Sequence, residues 1–486
     1  MKSHIALTRH QNPHRVSVWK KTRTRLLRAI ATTALGCALV ACGGGGGSGT
    51  AGTSGTGATQ SGSSAQATAV AAMHWAVGPA LSAVGGITTY MPSMANLTAG
   101  KAIAVFAQSE TGGNQLYFAT ANLATGAWSA PALISGYAGV VQGVSPGAWA
   151  LSPSATVVSA NPTTGVATAA WTSQVTGEST LRVWMSTYAN STGTWSTPVQ
   201  IGTASVSGLK ITSAPVGGTL IGWISASTVN AGTQALNLYT IPTSGSAVTD
   251  LVELGSSPYA AIKVGLSDAN TTVAIWAGAT QTVKMARKSA GVWAATTNLG
   301  MGAPASESDL DVVVNADGSD AVAWSGIDPS IHTVVHDASG VAIASQLIAQ
   351  GSMGNTRPAL GSLGSGKYMV VFAASSLSNT GFSYHAPYSA TYSPGAGWAT
   401  PMALYPGGAS GAGNQQLRID AAGDALAINM GYNINGYALV SGASAWAPTT
   451  NIVYGGAIPA FVQEKSTGRG VILWCSGSQL LSAFFK

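Results

Sequence analysis

From residue 71 onward the chain is built of short apolar runs of alternating character, separated by Gly, Asn, Ser and Pro. One run recurs, usually ending on a large aromatic: Ala102–Phe106, Val166–Trp171, Thr219–Trp223, Val273–Trp276, Ala321–Trp324, Tyr368–Phe372, Ala425–Ile428 and Val471–Trp474. Successive run ends lie 46 to 65 residues apart. Runs this short, with period two and turn residues at both ends, predict β-strands. Each follows a turn signal such as Asp317-Gly318 or Ala422-Gly423, itself preceded by another alternating stretch like Leu310–Val314. A third alternating stretch comes after a polar loop, as in Leu116–Thr120, Leu181–Thr187 and Leu236–Thr240. No segment beyond residue 70 sustains a helical 3.6-residue period, so the pattern is all-β.

A fourth element closes most units and reads Gly-x-Trp-x-x-Pro or close to it. The clearest cases are Gly126-Ala127-Trp128-Ser129-Ala130-Pro131 and Gly193-Thr194-Trp195-Ser196-Thr197-Pro198, with shorter versions at Trp398 and Trp446 and a weaker one at Trp293. The third and fifth units lack the Trp and carry Val248 and Val341 in that region. Four short strands repeating at this period predict a β-propeller, because stacking blades around an axis buries both faces of each sheet. Eight four-stranded blades account for the eight runs, with seven as the alternative if one unit is a false repeat. The last unit ends at Lys486 with three strands only. Its missing fourth is supplied by His74-Trp75-Ala76-Val77-Gly78-Pro79, so residues 72–87 are expected to pair into the C-terminal blade and close the ring.

The first 70 residues have a different character. Eight basic residues and no acid fall within the first 28, followed by the small apolar stretch Ala29–Val40. A basic region and a short apolar region form the pattern of a signal peptide; the stretch is too short for a spanning helix, which needs roughly 20 residues. Leu39-Val40-Ala41-Cys42 resembles the lipobox of bacterial lipoproteins. That resemblance implies cleavage before Cys42, acylation of the Cys42 thiol and amine (palmitate-type chains), and stable membrane anchoring by more than one chain. Gly43 rather than Asp at the next position implies sorting to the outer membrane. Residues 43–70 are almost wholly Gly, Ser, Thr and Ala and read as a flexible tether. The expected organisation is therefore 1–41 signal peptide, 42–70 lipidated Cys and tether, and 71–486 propeller.

Removing that leader changes the charge. The chain as written carries +6, but the remainder has 13 basic and 15 acidic side chains, a net of −2. Such a balance gives no footprint for nucleic acid. Cys475 remains as a lone thiol in the apolar run Val471–Cys475, where a buried inert role is expected.

The repeat also resembles those of bacterial secreted and lipoprotein propellers of sialidase-like architecture. The likeness lies in the aromatic-ended second strand and the Gly-x-Trp-x-x-Pro segment. The sialidase family adds Asp-boxes, an arginine triad and a Tyr/Glu nucleophile pair. No intact Asp-box occurs here, and Arg182, Arg287, Arg357, Arg418 and Arg469 do not reproduce the family's motif. The resemblance therefore implies the fold and not the activity.

Candidate chemistry is sparse. Glu110, Glu178 and Asp328 each follow a second strand, and a propeller gathers such loops on one face; paired carboxylates there would suit glycan cleavage. Phe382, Tyr384 and Tyr388, in a long insertion of the sixth unit, and Tyr432 and Tyr437, in the seventh, are loop aromatics suited to stacking on sugars or docking a protein. His332 and His336 sit four apart on a strand, about 13 Å at a rise of 3.3 Å per residue, too far to share a metal ion. No phosphate loop and no nucleophile elbow is present, so no metal and no cofactor is expected. The expectation is a non-enzymatic, outer-membrane-anchored binding module or scaffold for a protein or glycan. The alternative is a sialidase-like glycoside hydrolase or lyase using the loop carboxylates.

Overall fold

The computed structural model describes residues 73–486 except 82–91, 99, 111–112, 135–139, 142–155, 175–180, 205–208, 215, 256–260, 278–281, 303–308, 328–329, 351–355, 378–382, 405–413, 431–432, 450–452, 455–458 and 477–478. The leader, Cys42 and the tether lie outside the described residues.

The described residues form eight antiparallel sheets and no α-helix. Blades are numbered here from the one whose innermost strand is Ser93–Asn96. The innermost strands of blades 2 to 8 are Thr156–Ala160, Lys210–Ser213, Ile262–Leu266, Leu310–Val314, Thr356–Gly364, Gln415–Ile419 and Ala460–Gln463. Each innermost strand packs against the next, and the eighth packs against the first, so the eight blades form a ring around a central channel. This is the eight-bladed β-propeller that the repeat predicts.

Closure works as the chain ends require. Trp75–Val77 pairs antiparallel with Gln479–Phe485, in the register Trp75↔Phe485 and Val77↔Ala483. Reciprocal bonds between His74 and Lys486, both 3.1 Å, and the Leu81 N–H on the Leu480 carbonyl at 2.7 Å extend the seal. Trp75 is 7% exposed and lies against Phe485, with ring centroids 5.3 Å apart.

The recurrent aromatic of the second strand points at the preceding blade. Trp171 is buried with blade 1, Trp276 with blade 3 and Trp474 with blade 7. Each such ring removes roughly 150–250 Å² from water. Blade 7 differs: its run ends on Ile428 in the sequence, but the register puts Asn429 at the aromatic's place, opposite Gln415. Asn429 is buried and accepts a 3.0 Å bond from the Gln415 amide.

The fourth element explains itself once built. Its Trp covers the preceding blade: Trp195 lies 5.6 Å from Phe118 and 5.3 Å from Tyr188. Trp128 meets Phe484 at 6.0 Å, and Trp446 donates from Nε1 to Ser389 Oγ at 2.8 Å. The strand is interrupted just after this Trp; a Pro, with no N–H to give a ladder, stands at the break in blades 1, 2 and 6, and blade 4 breaks between Trp293 and Thr297 without one. In blade 2 it splits into Thr194–Trp195 and Val199–Ala204, around Pro198. Blades 3 and 5 lack the motif, and their fourth strands run unbroken as Val248–Gly255 and Ala342–Gln350.

Candidate functional site

An antiparallel four-stranded blade sends its connections to two faces. The first-to-second and third-to-fourth turns lie on one, called here the turn face. The second-to-third connections and the crossings between blades lie on the other, the mouth face.

Polar side chains of the turn face hold blade to blade. Asn161 donates to the Gly217 carbonyl at 3.0 Å, linking blades 2 and 3. Asp268 accepts the Val216 N–H at 2.7 Å between blades 3 and 4. Asn315 donates to the Tyr368 hydroxyl at 2.8 Å between blades 5 and 6. Burial pushes the pKa of that hydroxyl far up, so it stays neutral as donor and acceptor. The strongest seam joins blades 4 and 5. Arg287 Nε sits 3.1 Å from Asp320 Oδ1, and His336 Nδ1 lies 2.8 Å from Asp320 Oδ2. Arg287 also donates to the Gly318 carbonyl at 2.6 Å and the Ala338 carbonyl at 3.1 Å. Asp320 is wholly buried. These groups are spent on structure.

Asp420 departs from the pattern. Its Oδ1 accepts the Ala422 and Asp424 N–H groups, both at 2.9 Å, as Asn161 Oδ1 does for its own turn. Its Oδ2 is buried without a hydrogen-bond partner among the described residues, as is Oδ2 of Asp424. Burial, with Asp424 adding repulsion, raises the pKa of Asp420. Among the described residues no group of three or more His, Cys, Asp or Glu side chains is placed to hold a metal ion.

The innermost strands carry a second set of charges, aligned by register. The residue opposite the one before the second-strand aromatic is Ser93 in blade 1, Lys210 in blade 3, Lys263 in blade 4 and Asp311 in blade 5. At this level Ser93 Oγ accepts the Val158 N–H of the next innermost strand at 2.9 Å. Asp311 Oδ2 does the same for Leu360 N–H at 2.7 Å. Lys263 and Lys210 hold ammonium groups there, which accept nothing. Lys263 Nζ lies 3.9 Å from Asp311 Oδ1. Arg418 sits two residues beyond the corresponding Gln416 of blade 7. Its guanidinium is exposed, over the Phe461 ring at 5.6 Å, and donates to the carbonyl of its own neighbour Leu417 at 2.8 Å. The surrounding protein lowers the pKa of Arg418 despite that exposure, while Asp311 pulls it back up. A solvent-exposed group on an innermost strand, felt by a carboxylate two blades away, lies in the channel.

The sequence-derived site residues fare unequally. Glu110 is the last residue of the second strand Lys101–Glu110, paired with Gly113, rather than a loop residue. Tyr384 belongs to the third strand Ser383–Ser393, opposite Ser376, not to an insertion. Both strand ends reach the mouth face, from blades 1 and 6. Glu178, Asp328, Phe382 and Tyr432 lie outside the described residues. Tyr388 stacks on Phe372 at 6.1 Å and Tyr437 is buried between blades 6 and 7, so these two are packing residues. Strand extension is the reason: long alternating stretches around a short turn look like an insertion in sequence. His332 stacks on Trp324 with centroids 5.3 Å apart and His336 belongs to the buried seam, so they serve separate structural roles. Cys475 is half-buried beside the cluster holding Phe106 and Leu473. The channel residues Lys210, Lys263 and Arg418 escaped the sequence reading. Their signal was present as charges inside otherwise apolar first strands.

No family model matches the chain, and no curated protein does. Solved structures are similar in fold. The BP39L lectin from Burkholderia pseudomallei is 15% identical, covers 75% of this chain and 100% of its own, with a TM-score of 0.46. A Penicillium chrysogenum alpha-L-arabinanase complexed with arabinobiose is 10% identical over 84% of this chain and 96% of its own, at 0.39. Polysaccharide lyase Uly1 is 9% identical over 73% of this chain and 93% of its own, at 0.42. At these identities and scores the likenesses bear on neither ligand nor activity.

Proposed function

We propose that this protein is a membrane-tethered binding protein that offers the mouth face of its propeller to a glycan or protein partner in the cell envelope. The observation that carries the reading is the asymmetry in how polar and charged side chains are used. On the turn face, Asn161, Asp268, Arg287 and Asn315 are committed to seams between blades. In the channel, Lys263 and Arg418 stand on innermost strands and latch no neighbouring strand by a hydrogen bond among the described residues. Charged groups lining a channel, with donors left over from their contacts to the fold, are where recognition is expected. The anchor is part of the proposal: export, cleavage before Cys42, lipidation at Cys42 and residence in the outer membrane rest on the leader and the Leu39-Val40-Ala41-Cys42 run.

Two experiments test this. Cell fractionation of a Cys42→Ser variant should move the protein from the membrane to the soluble fraction; unchanged membrane association removes the anchor. A glycan array probed with residues 71–486, alongside Tyr432→Ala and a pull-down from envelope extracts, tests the binding role. Saturable binding to a glycan or stoichiometric capture of a partner supports it, and the absence of both removes it. A glycan-acting enzyme is the second reading, favoured by Glu110 ending its strand at the mouth face. Turnover lost in Glu110→Gln or Glu178→Gln would select it.

A further inference from the structure

We propose that the central channel is an anion-binding site, built on Lys263 and Arg418 with Lys210 beside them, that takes the carboxylate of an acidic saccharide. The saccharide half of this statement rests on the glycan reading above; the anion half stands on the channel alone.

Lys210, Lys263 and Asp311 occupy one level of three consecutive innermost strands. At that level Ser93 and Asp311 accept the next strand's N–H, while blades 2, 6 and 8 carry Val157, Ala359 and Ala460 there and need no polar side chain. A lysine cannot accept such a bond. Two consecutive blades place a cation at this level instead. Asp311 is already engaged by the Leu360 N–H at 2.7 Å and by Lys263 at 3.9 Å, so the one acid of this level is spoken for.

Arg418 adds a third cation across blade 6. The intervening strand offers no bulk there: Gly361 is the blade 6 residue at the Arg418 level, and a Cβ on it would meet Ile419 Cδ1 at 2.6 Å. Of the five N–H donors of a guanidinium, the described structure uses one, on the Leu417 carbonyl. The remaining donors form a planar fork of the shape that accepts a carboxylate. Among the described residues, three cations against one acid on these strands of blades 3, 4, 5 and 7 stand out in a chain whose residues beyond the leader sum to −2. A channel walled by protein also strengthens such attraction relative to open water.

The test is calorimetry on the chain from residue 43 with three probes: a hexuronic-acid oligosaccharide, its methyl-esterified neutral form, and inorganic sulfate. The variants are Arg418→Gln and Lys263→Gln, with thermal melts to confirm that both fold. The proposal expects the acidic oligosaccharide to bind and its affinity to fall as salt is raised. It also expects a loss of about tenfold or more in each variant, and no binding of the ester. Sulfate binding lost in Arg418→Gln, with neither saccharide binding, keeps the anion site and removes the saccharide. Ester and acid binding alike, indifferent to both variants, keeps a glycan reader and overturns the channel site. No binding of any anion overturns the proposal outright.

Discussion

Two buried carboxylates, Asp420 and Asp320, show how the same residue type helps or strains one fold. Asp420 has a pKa raised chiefly by burial, so the native state holds its proton more tightly than the unfolded chain. The native state then binds more protons in the window above the unfolded value of about 3.9, and stability falls as pH rises through it. Asn161 and Asn315 fill the matching turn positions with an amide that donates to a neighbouring blade. Asp420→Asn keeps the Oδ1 acceptor and removes the charge. It should melt higher than the parent at pH 7, with the gap closing at pH 3; equal melting at both values would show that Asp420 carries no burden. Asp320 is the opposite case, since Arg287 at 3.1 Å and His336 at 2.8 Å enclose it. Asp320→Ala leaves an uncompensated buried guanidinium and should cost about 3–5 kcal/mol in urea unfolding.

At the scale of elements, the fourth strand decides how blades adhere. Its Trp reaches across a seam, as Trp195 does to Phe118 at 5.6 Å, so its loss opens two blades at once. Trp195→Ala should lower stability by about 3–5 kcal/mol, read from the denaturant midpoint, while Val248→Ala on the unbroken strand of blade 3 stays within about 0.5 kcal/mol. Strands and their order were legible because period two and turn glycines repeat in every unit and the Trp motif in most of them. Asn429 was not, because nothing local marks a polar residue as the stand-in for a missing aromatic; only the opposed Gln415 reveals it. Tyr388 and Tyr437 misled for a related reason. An aromatic near a turn reads as a loop residue until pairing shows that the strand continues past it.

The whole ring depends on joining the two ends of a 414-residue stretch, from Met73 to Lys486, and that joint is where the sequence was most informative about the molecule. A missing fourth strand at one end and a spare one at the other define closure without any structure. The channel was less legible: which charges meet inside a ring depends on eight strands converging, and Lys263 and Arg418 are 155 positions apart in the chain. Closure makes the last prediction. Residues 73–81 contribute Trp75, buried against Phe461 and Phe485, and the main-chain bonds to Ser482, Leu480 and Lys486. Deleting them leaves Gln479–Phe485 as an open edge, and open edges recruit further strands. The deletion variant should melt at a lower temperature and form dimers or larger species by light scattering. A synthetic peptide of residues 73–81 should raise its melting temperature in proportion to the logarithm of peptide concentration, since it binds only the folded ring. A variant that stays monomeric, melts like the parent and ignores the peptide would mean that the seal holds without its N-terminal strand.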